Sequence, residues 1–344
     1  MHMSDALVSP AVAGSLWVAT AGASTLSARA LRRRPDDRRV PLMGVLGAFV
    51  FAAQMVNFTI PGTGSSGHLC GGLLLAILLG PAAAFLVMAS VLSIQALFFA
   101  DGGLLALGCN IVNLGLATSF VAYPLVFAPL AHAHPSRSRL VLATVLAAVV
   151  GLQLGSLGVV AETLLSGRTP LSAGAFLALM QPIHLAIGLV EGLVTSAVVL
   201  FLRDARPDLV QGDLRAGRES VPPRRVGARI LFASAVTAGL LSLFASSAPD
   251  GLEWSLARAT RAARPEPAGP LHELLSRVQE HTAVLAAVPA DGERLAGSAG
   301  GRPRASAAAS LSGLAGSALT LGLAGLLAAG LRGLRRGSRP SSSQ

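Results

Sequence analysis

A polypeptide that begins Met1-His2 carries a chelating group in its first two residues. The terminal amine, the backbone nitrogen of His2 and the Nδ1 of its ring can close fused five- and six-membered rings around one metal ion. A fourth nitrogen would complete a plane of donors. His68, at the end of the Gly-rich stretch Gly62-Thr63-Gly64-Ser65-Ser66-Gly67, can supply it. Such an all-nitrogen, tetragonal site suits late first-row divalent ions, Ni2+ and Cu2+ above all, because they favour planar nitrogen donors and help to displace an amide proton. Spacing alone does not separate this reading from a solvated histidine on a frayed terminus. The elements in between must bring Met1, His2 and His68 to one side.

Composition sets what those elements are. Of the 344 residues, 52% are hydrophobic and 13% charged, and the mean hydropathy is positive. Ordinary soluble domains are about one-quarter charged, so the chain reads as a polytopic membrane protein. All 27 basic residues are arginine, and most flank apolar runs. They act as orientation signals and not as a nucleic-acid stripe, despite a net charge of +10. Without lysine the chain cannot form the phosphate loop G-x-x-x-x-G-K-[ST], and any ATP-driven step must come from a partner. Cys70 and Cys109 lie inside apolar segments and read as buried small hydrophobes, not as a disulfide.

The apolar run 6–31 is followed, not preceded, by Arg32, Arg33, Arg34, Arg38 and Arg39. That is the reverse of a cleavable signal, and the run is long enough to span. Met1 is therefore expected outside and the arginines in the cytoplasm. Residues 41–60 return outward, and 61–67 are too rich in Gly, Pro, Ser and Thr to stay helical. The run 68–99 is broken by Gly80-Pro81 and divides into two spans. Only that parity keeps Arg137, Arg139 and the seven arginines from Arg203 to Arg229 inside. Its first half, 68–79, is short and needs shelter from neighbours.

Spans at 103–131, 139–165 and 177–202 complete seven. The expected fold is all-α: a seven-helix metal-binding unit (1–202), a cytoplasmic linker (203–229) and a two-helix C-terminal unit (230–344). The last has helices at 230–245 and 309–331, an external segment 246–308 and a cytoplasmic tail. The external segment carries seven arginines and seven acids, and its Ala, Gly and Ser content points to flexibility.

Polar residues within spans seek a cavity or a partner. Asn110 and Asn113, three apart and on one helical face, are expected with Ser66 to support the loop imidazole as donors behind it; hydrogen bonding between helices is the plainer alternative. His184 and Glu191 share a face and could form a relay, an ion pair or structural glue. His132 and His134 read as a solvated pair.

Several stretches together resemble a known family, the substrate-binding membrane component of energy-coupling-factor transporters for nickel and cobalt. The resemblance runs through Met1-His2, Gly64-Ser65-Ser66-Gly67-His68-Leu69-Cys70-Gly71-Gly72, Leu78-Leu79-Gly80-Pro81, Asp101-Gly102-Gly103-Leu104, Leu107-Gly108-Cys109-Asn110 with Asn113, and Pro182-Ile183-His184 with Gly188 and Glu191-Gly192. Where the family reads M-H-I-P-D-G, this chain reads Met1-His2-Met3-Ser4-Asp5-Ala6, a change that spares the chelating pair. Pro249-Asp250-Gly251-Leu252-Glu253 resembles the signature of the small two-span accessory subunit of these transporters, here fused.

The resemblance implies metal ligation by Met1, His2 and His68. It implies Ni2+ or Co2+ as the transported ion, no cofactor, and partners in a transmembrane coupling protein and ATPase subunits. It also implies no covalent chemistry and a plasma-membrane location, with the N-terminus outside and the C-terminus inside. The C-terminal unit carries no obvious ligand, so its removal is expected to spare affinity. Two alternatives stand beside this reading. One is a proton-driven carrier of divalent metal working through Glu162 or Glu191. The other is a membrane-embedded metalloenzyme built on His184 and Glu191, which lacks an H-E-x-x-H helix.

Overall fold

A computed structural model describes residues 1–33, 39–132, 135–168, 172–205, 223–260, 269–285 and 302–336. His134, most of the linker (206–222), residues 261–268 and 286–301 of the C-terminal unit and the tail beyond 336 lie outside the described residues.

Seven helices make up the first unit: α1 (Pro10–Arg33), α2 (Arg39–Gln54), α3 (Gly72–Leu79), α4 (Pro81–Phe99), α5 (Leu107–Leu130), α6 (Arg137–Ser166) and α7 (Ala173–Ala205). Helix α3 has eight residues and so rises about 12 Å, far less than the roughly 30 Å of a bilayer core. Every one of its residues is buried. Gly80, with φ 82°, closes α3 and opens α4, and Pro81 fills the first position of α4, where its missing N–H is not needed. The pair α3–α4 is thus a hairpin that dips into the bundle and returns, and its parity is that of two passes. Of the described helices, six are long and apolar enough to cross a membrane: α4, α5, α6, α7 and one in each half of the C-terminal unit. Helix α1 has the length, and α2 is apolar but short.

The fold is all-α as expected, with two local differences from the expected element bounds. Helix α2 ends at Gln54, not at residue 60, and the chain then forms an antiparallel hairpin of β1 (Phe58–Ile60) and β2 (Ser65–Gly67), with Phe58 opposite Gly67. The external segment of the C-terminal unit is also more ordered than its composition suggests. Between α8 (Pro223–Gly239) and α11 (Arg302–Arg336) it forms α9 (Gly251–Ala259) and α10 (Pro270–Thr282). Helix α11 lies against α2, where Gly44 and Gly47 admit Leu321 and Thr320 at 3.1–3.2 Å from where a side chain would begin. Close approach through small residues is how helices associate where lipid supplies no hydrophobic drive. Gly188 and Gly192 of α7 do the same against Val149 and Val145 of α6.

The bundle has two distinguishable ends. At one, Arg137 donates to Asp204 at 2.8 Å and Arg203 to the Pro135 carbonyl at 2.8 Å. The other end gathers Met1, the β-hairpin, Asp101 and the start of α9. Gly155 of α6, which meets the Met1 side chain, lies 18 residues from Arg137, about 27 Å along the helix.

Candidate metal site

The N-terminus is threaded into the bundle and held there residue by residue. The Met3 N–H donates to Asn110 Oδ1 at 2.8 Å, and the Met3 carbonyl accepts from Gly103 N–H at 2.9 Å and from Asn110 Nδ2 at 3.2 Å. Asp5 Oδ1 accepts from Ala106 N–H at 2.9 Å. A side chain at Gly103 would collide with Asp5, so glycine is required for the terminal segment to lie so close. His272 on α10 is buried and donates from Nε2 to the Asp5 and Val8 carbonyls, a brace from the C-terminal unit.

These anchors bring Met1, His2 and His68 together. The terminal amine of Met1 lies 3.5 Å from His68 Nε2, and the rings of His2 and His68 stack with centroids 5.0 Å apart and planes 13° from parallel. His68 Nδ1 donates to the Leu69 carbonyl at 3.1 Å, which fixes the tautomer and leaves the Nε2 lone pair facing the amine. Metal–nitrogen bonds of about 2.0 Å put neighbouring donors of a square plane about 2.8 Å apart and opposite ones about 4 Å apart. The separation of Met1 and His68 falls between the two. Burial, the nearby terminal ammonium and His2 together hold the His68 imidazole at about 3, well below its ordinary value, even against the opposing pull of Asp101. His68 is a neutral, ready donor.

Two carboxylates flank the nitrogens. Asp250 lies 3.0 Å from the terminal amine and Asp101 3.2 Å from His2 Nδ1, and both are about one-quarter exposed while Met1 and His2 are nearly covered. Burial pushes Asp101 up, but His2, with His68 and the ammonium, more than offsets it and holds the carboxyl at about 2. Asp250 is likewise raised by burial and brought far below the carboxylate range by the ammonium and the Glu253 N–H. His2 Nε2 is buried without a partner. Nδ1, the ring nitrogen of the expected chelate, is thus turned to Asp101 in this structure.

The expected supporting residues sit near the site in different roles. Asn110 grips Met3, and Asn113 donates to Glu162 at 2.8 Å; neither reaches the His68 ring. Asn110 braces the N-terminal arm through Met3, and Asn113 lies 4.0 Å from the Met3 sulfur. Ser66 does not support the imidazole either. Its N–H donates to the Pro249 carbonyl at 2.8 Å and its hydroxyl to the Ala248 carbonyl at 2.7 Å.

His184 and Glu191 form no pair. Glu191 accepts from the N–H groups of Cys70 (2.6 Å) and Gly71 (3.0 Å) and so anchors the chain just past His68. His184 lines a cavity beside the terminus. His132 is exposed, and Cys70 and Cys109 are free and buried, as their apolar surroundings suggest.

Sequence reasoning gave Asp101 and Asp250 no site role, although each sits in a motif already singled out. The second of these motifs is now legible in contacts. Pro249 offers its carbonyl to Ser66, Asp250 caps α9 and meets the Met1 amine, and Trp254 Nε1 donates to the Thr63 carbonyl at 2.8 Å. A side chain at Gly251 would begin 2.6 Å from Ile183 Cγ2. The C-terminal unit therefore touches the terminal amine through Asp250, a contact the sequence did not point to.

Residues 2–209 match the family of the cobalt uptake substrate-specific transmembrane region, and residues 224–333 match the PDGLE domain. The chain belongs to the cobalt-uptake family. Within it, a Haloquadratum walsbyi protein provisionally described as a metal transport protein is 37% identical, over 61% of this chain and 93% of its own. The fused nickel transport protein NikMN of Rhodobacter capsulatus is 33% identical over 61% of this chain and 64% of its own. The cobalt transport protein CbiM of Geobacter sulfurreducens is 32% identical over 70% and 71%. A crystal structure of a truncated transition metal transporter superposes with a TM-score of 0.53 and 31% identity, over 60% of this chain and 99% of that one. The chain is thus a multi-pass membrane protein of a nickel and cobalt transport family, with a PDGLE domain fused to its C-terminal side.

Proposed function

We propose that this chain is the substrate-binding component of an energy-coupling-factor importer, taking Ni2+ or Co2+ from outside. The ion is held by the terminal amine of Met1, the backbone and ring nitrogens of His2, and Nε2 of His68. The observation that carries this reading is the approach of the Met1 amine to His68 Nε2, 3.5 Å apart, at one buried end of the bundle. Among the described residues no three His, Cys, Asp or Glu side chains gather as a metal site. A tight site here must recruit main-chain nitrogens, and the family match supplies the class of cargo.

The orientation proposed puts Met1, the β-hairpin and the PDGLE motif outside, with the Arg137–Asp204 end in the cytoplasm, following the arginine bias. With no lysine in the chain, ATP hydrolysis falls to separate ATPase subunits joined through a transmembrane coupling protein. Glu191 and Glu162 hold Cys70, Gly71 and Asn113 in place, and the match to a substrate-specific uptake component favours the importer over the proton-driven carrier.

The test is metal binding by the purified chain. His68→Ala should abolish tight Ni2+ and Co2+ binding while His132→Ala, on the exposed surface, leaves it intact, and cellular uptake should stop when the partner ATPase is inactivated. Equal losses in the two variants would refute the site.

A further inference from the structure

One buried nitrogen remains unused by the chelate. His184 on α7 is 1% exposed. Its Nδ1 donates to the Met180 carbonyl at 2.8 Å, which fixes the tautomer and makes Nε2 the lone-pair nitrogen. That Nε2 is buried and has no hydrogen-bond partner. A histidine aimed by a carbonyl on one nitrogen and bare on the other is the arrangement that metal-ligating imidazoles adopt. A buried acceptor left unpaired is costly, and an incoming cation would satisfy it.

What it faces is specific. His184 lines a small cavity of about 10 Å³, room for roughly one water-sized particle or a bare ion, together with Met1, His68, Cys70, Asp250 and Gly251. Of the other donors there, the Cys70 thiol is spoken for by the Leu114 carbonyl at 3.5 Å, and Met1 and His68 belong to the chelate. The order of contacts along α7 places His184 relative to the His68 loop. Glu191 meets Cys70 and Gly71, Ile187 meets Gly67, and Ile183 with His184 meets Gly251. His184 therefore lies about one helical turn, roughly 5 Å, nearer the Ala173 end of α7 than the residue that touches the His68 loop. It stands beside the partly exposed Asp250.

We propose that His184 Nε2 is an outer station for the transported divalent cation: it binds the ion transiently at the mouth of the cavity and passes it to the terminal chelate. No bond other than coordination is made or broken, and the ion keeps its charge. This rests on the reading of Met1, His2 and His68 as the final site. Because His184 lies on the path and not in the final complex, its loss slows arrival and departure alike and leaves the equilibrium constant in place.

The experiment uses the full chain with a free N-terminus, in detergent. Ni2+ uptake is followed by stopped-flow near-ultraviolet absorbance and release by a chelator chase. His184→Ala should slow both rates by a common factor on the order of tenfold, with Kd and the spectrum of the loaded site unchanged. His184→Asn, which keeps a polar group of moderate size, should behave like the alanine variant and carries the test where alanine does not fold. His184→Cys, which restores a soft donor, should recover much of the rate. An unchanged on-rate, a weakened Kd with an unchanged on-rate, or failure of cysteine to restore the rate would each overturn the station. The chelate is judged separately by His68→Ala: intact binding there ends that reading whatever His184 does.

Discussion

His68 can serve as a ligand near neutral pH because its surroundings keep it free of protons. An isolated imidazole titrates near 6.5, whereas burial and the adjacent ammonium hold this one near 3. The sign of the linkage follows. Between about 6.5 and 3 the unfolded chain takes up a proton at His68 and the folded chain does not. The stability tied to His68 is complete above about 6.5 and drains away as pH falls toward 3. An imidazole NMR titration should show no His68 transition between pH 8 and 5, and His68→Gln should flatten the acid slope of stability over that range. A His68 midpoint near 6.5 would contradict the burial argument. Asp101 runs the same way lower down: held at about 2, its contribution is present above the ordinary carboxylate value and lost below it.

Elements matter here chiefly as clamps on those nitrogens. Helix α7 reaches across to the loop through Glu191, whose carboxylate takes the Cys70 and Gly71 N–H groups, and Gly71 itself needs its φ of 76° for the chain to turn into α3. Glu191→Ala leaves two buried N–H groups unpaired, at about 1–3 kcal/mol each. It should lower both thermal stability and Ni2+ affinity, while Glu191→Gln, which keeps one acceptor oxygen, should lose less. Calorimetry of the two variants decides it, and equal wild-type affinity in both would show that the clamp does not aim His68.

The helices and the Gly80-Pro81 break were legible in the sequence because each depends on neighbours a few residues away: hydropathy and a breaker. The β-hairpin was not, since Phe58-Thr59-Ile60 is too short a run to stand out after an apolar helix and its partner Ser65-Ser66-Gly67 has no strand preference. Asp101 and Asp250 were missed as site residues because their partners, His2 and Met1, lie far away in sequence, Met1 and Asp250 being separated by 249 positions. Asn110 and Asn113 were seen to share a face, but which object that face meets is a tertiary fact.

On the scale of the whole molecule, two families of contact define opposite ends, and the proposed orientation rests on the arginine bias. Cysteine-accessibility labelling in intact cells should reach positions 61–64, 101–103 and 246–247 from outside and positions 203–205 only from inside. External labelling at 203–205 would invert every span after α4. The fused PDGLE unit spans both tasks: α11 is bound to α2 through glycines, and α9 is pinned to the site loop through Ser66, Thr63 and the Met1 amine.

The account depends most on that amine, which is a donor only when it is free and directly precedes His2. Metal binding should therefore be compared between the chain with Met1 exposed and the same chain extended by a few residues at its N-terminus, with a C-terminal extension as control. Isothermal titration with Ni2+ and Co2+ should find tight binding in the first and the control and none in the N-terminally extended protein. Unchanged affinity in the extended protein would contradict the central claim.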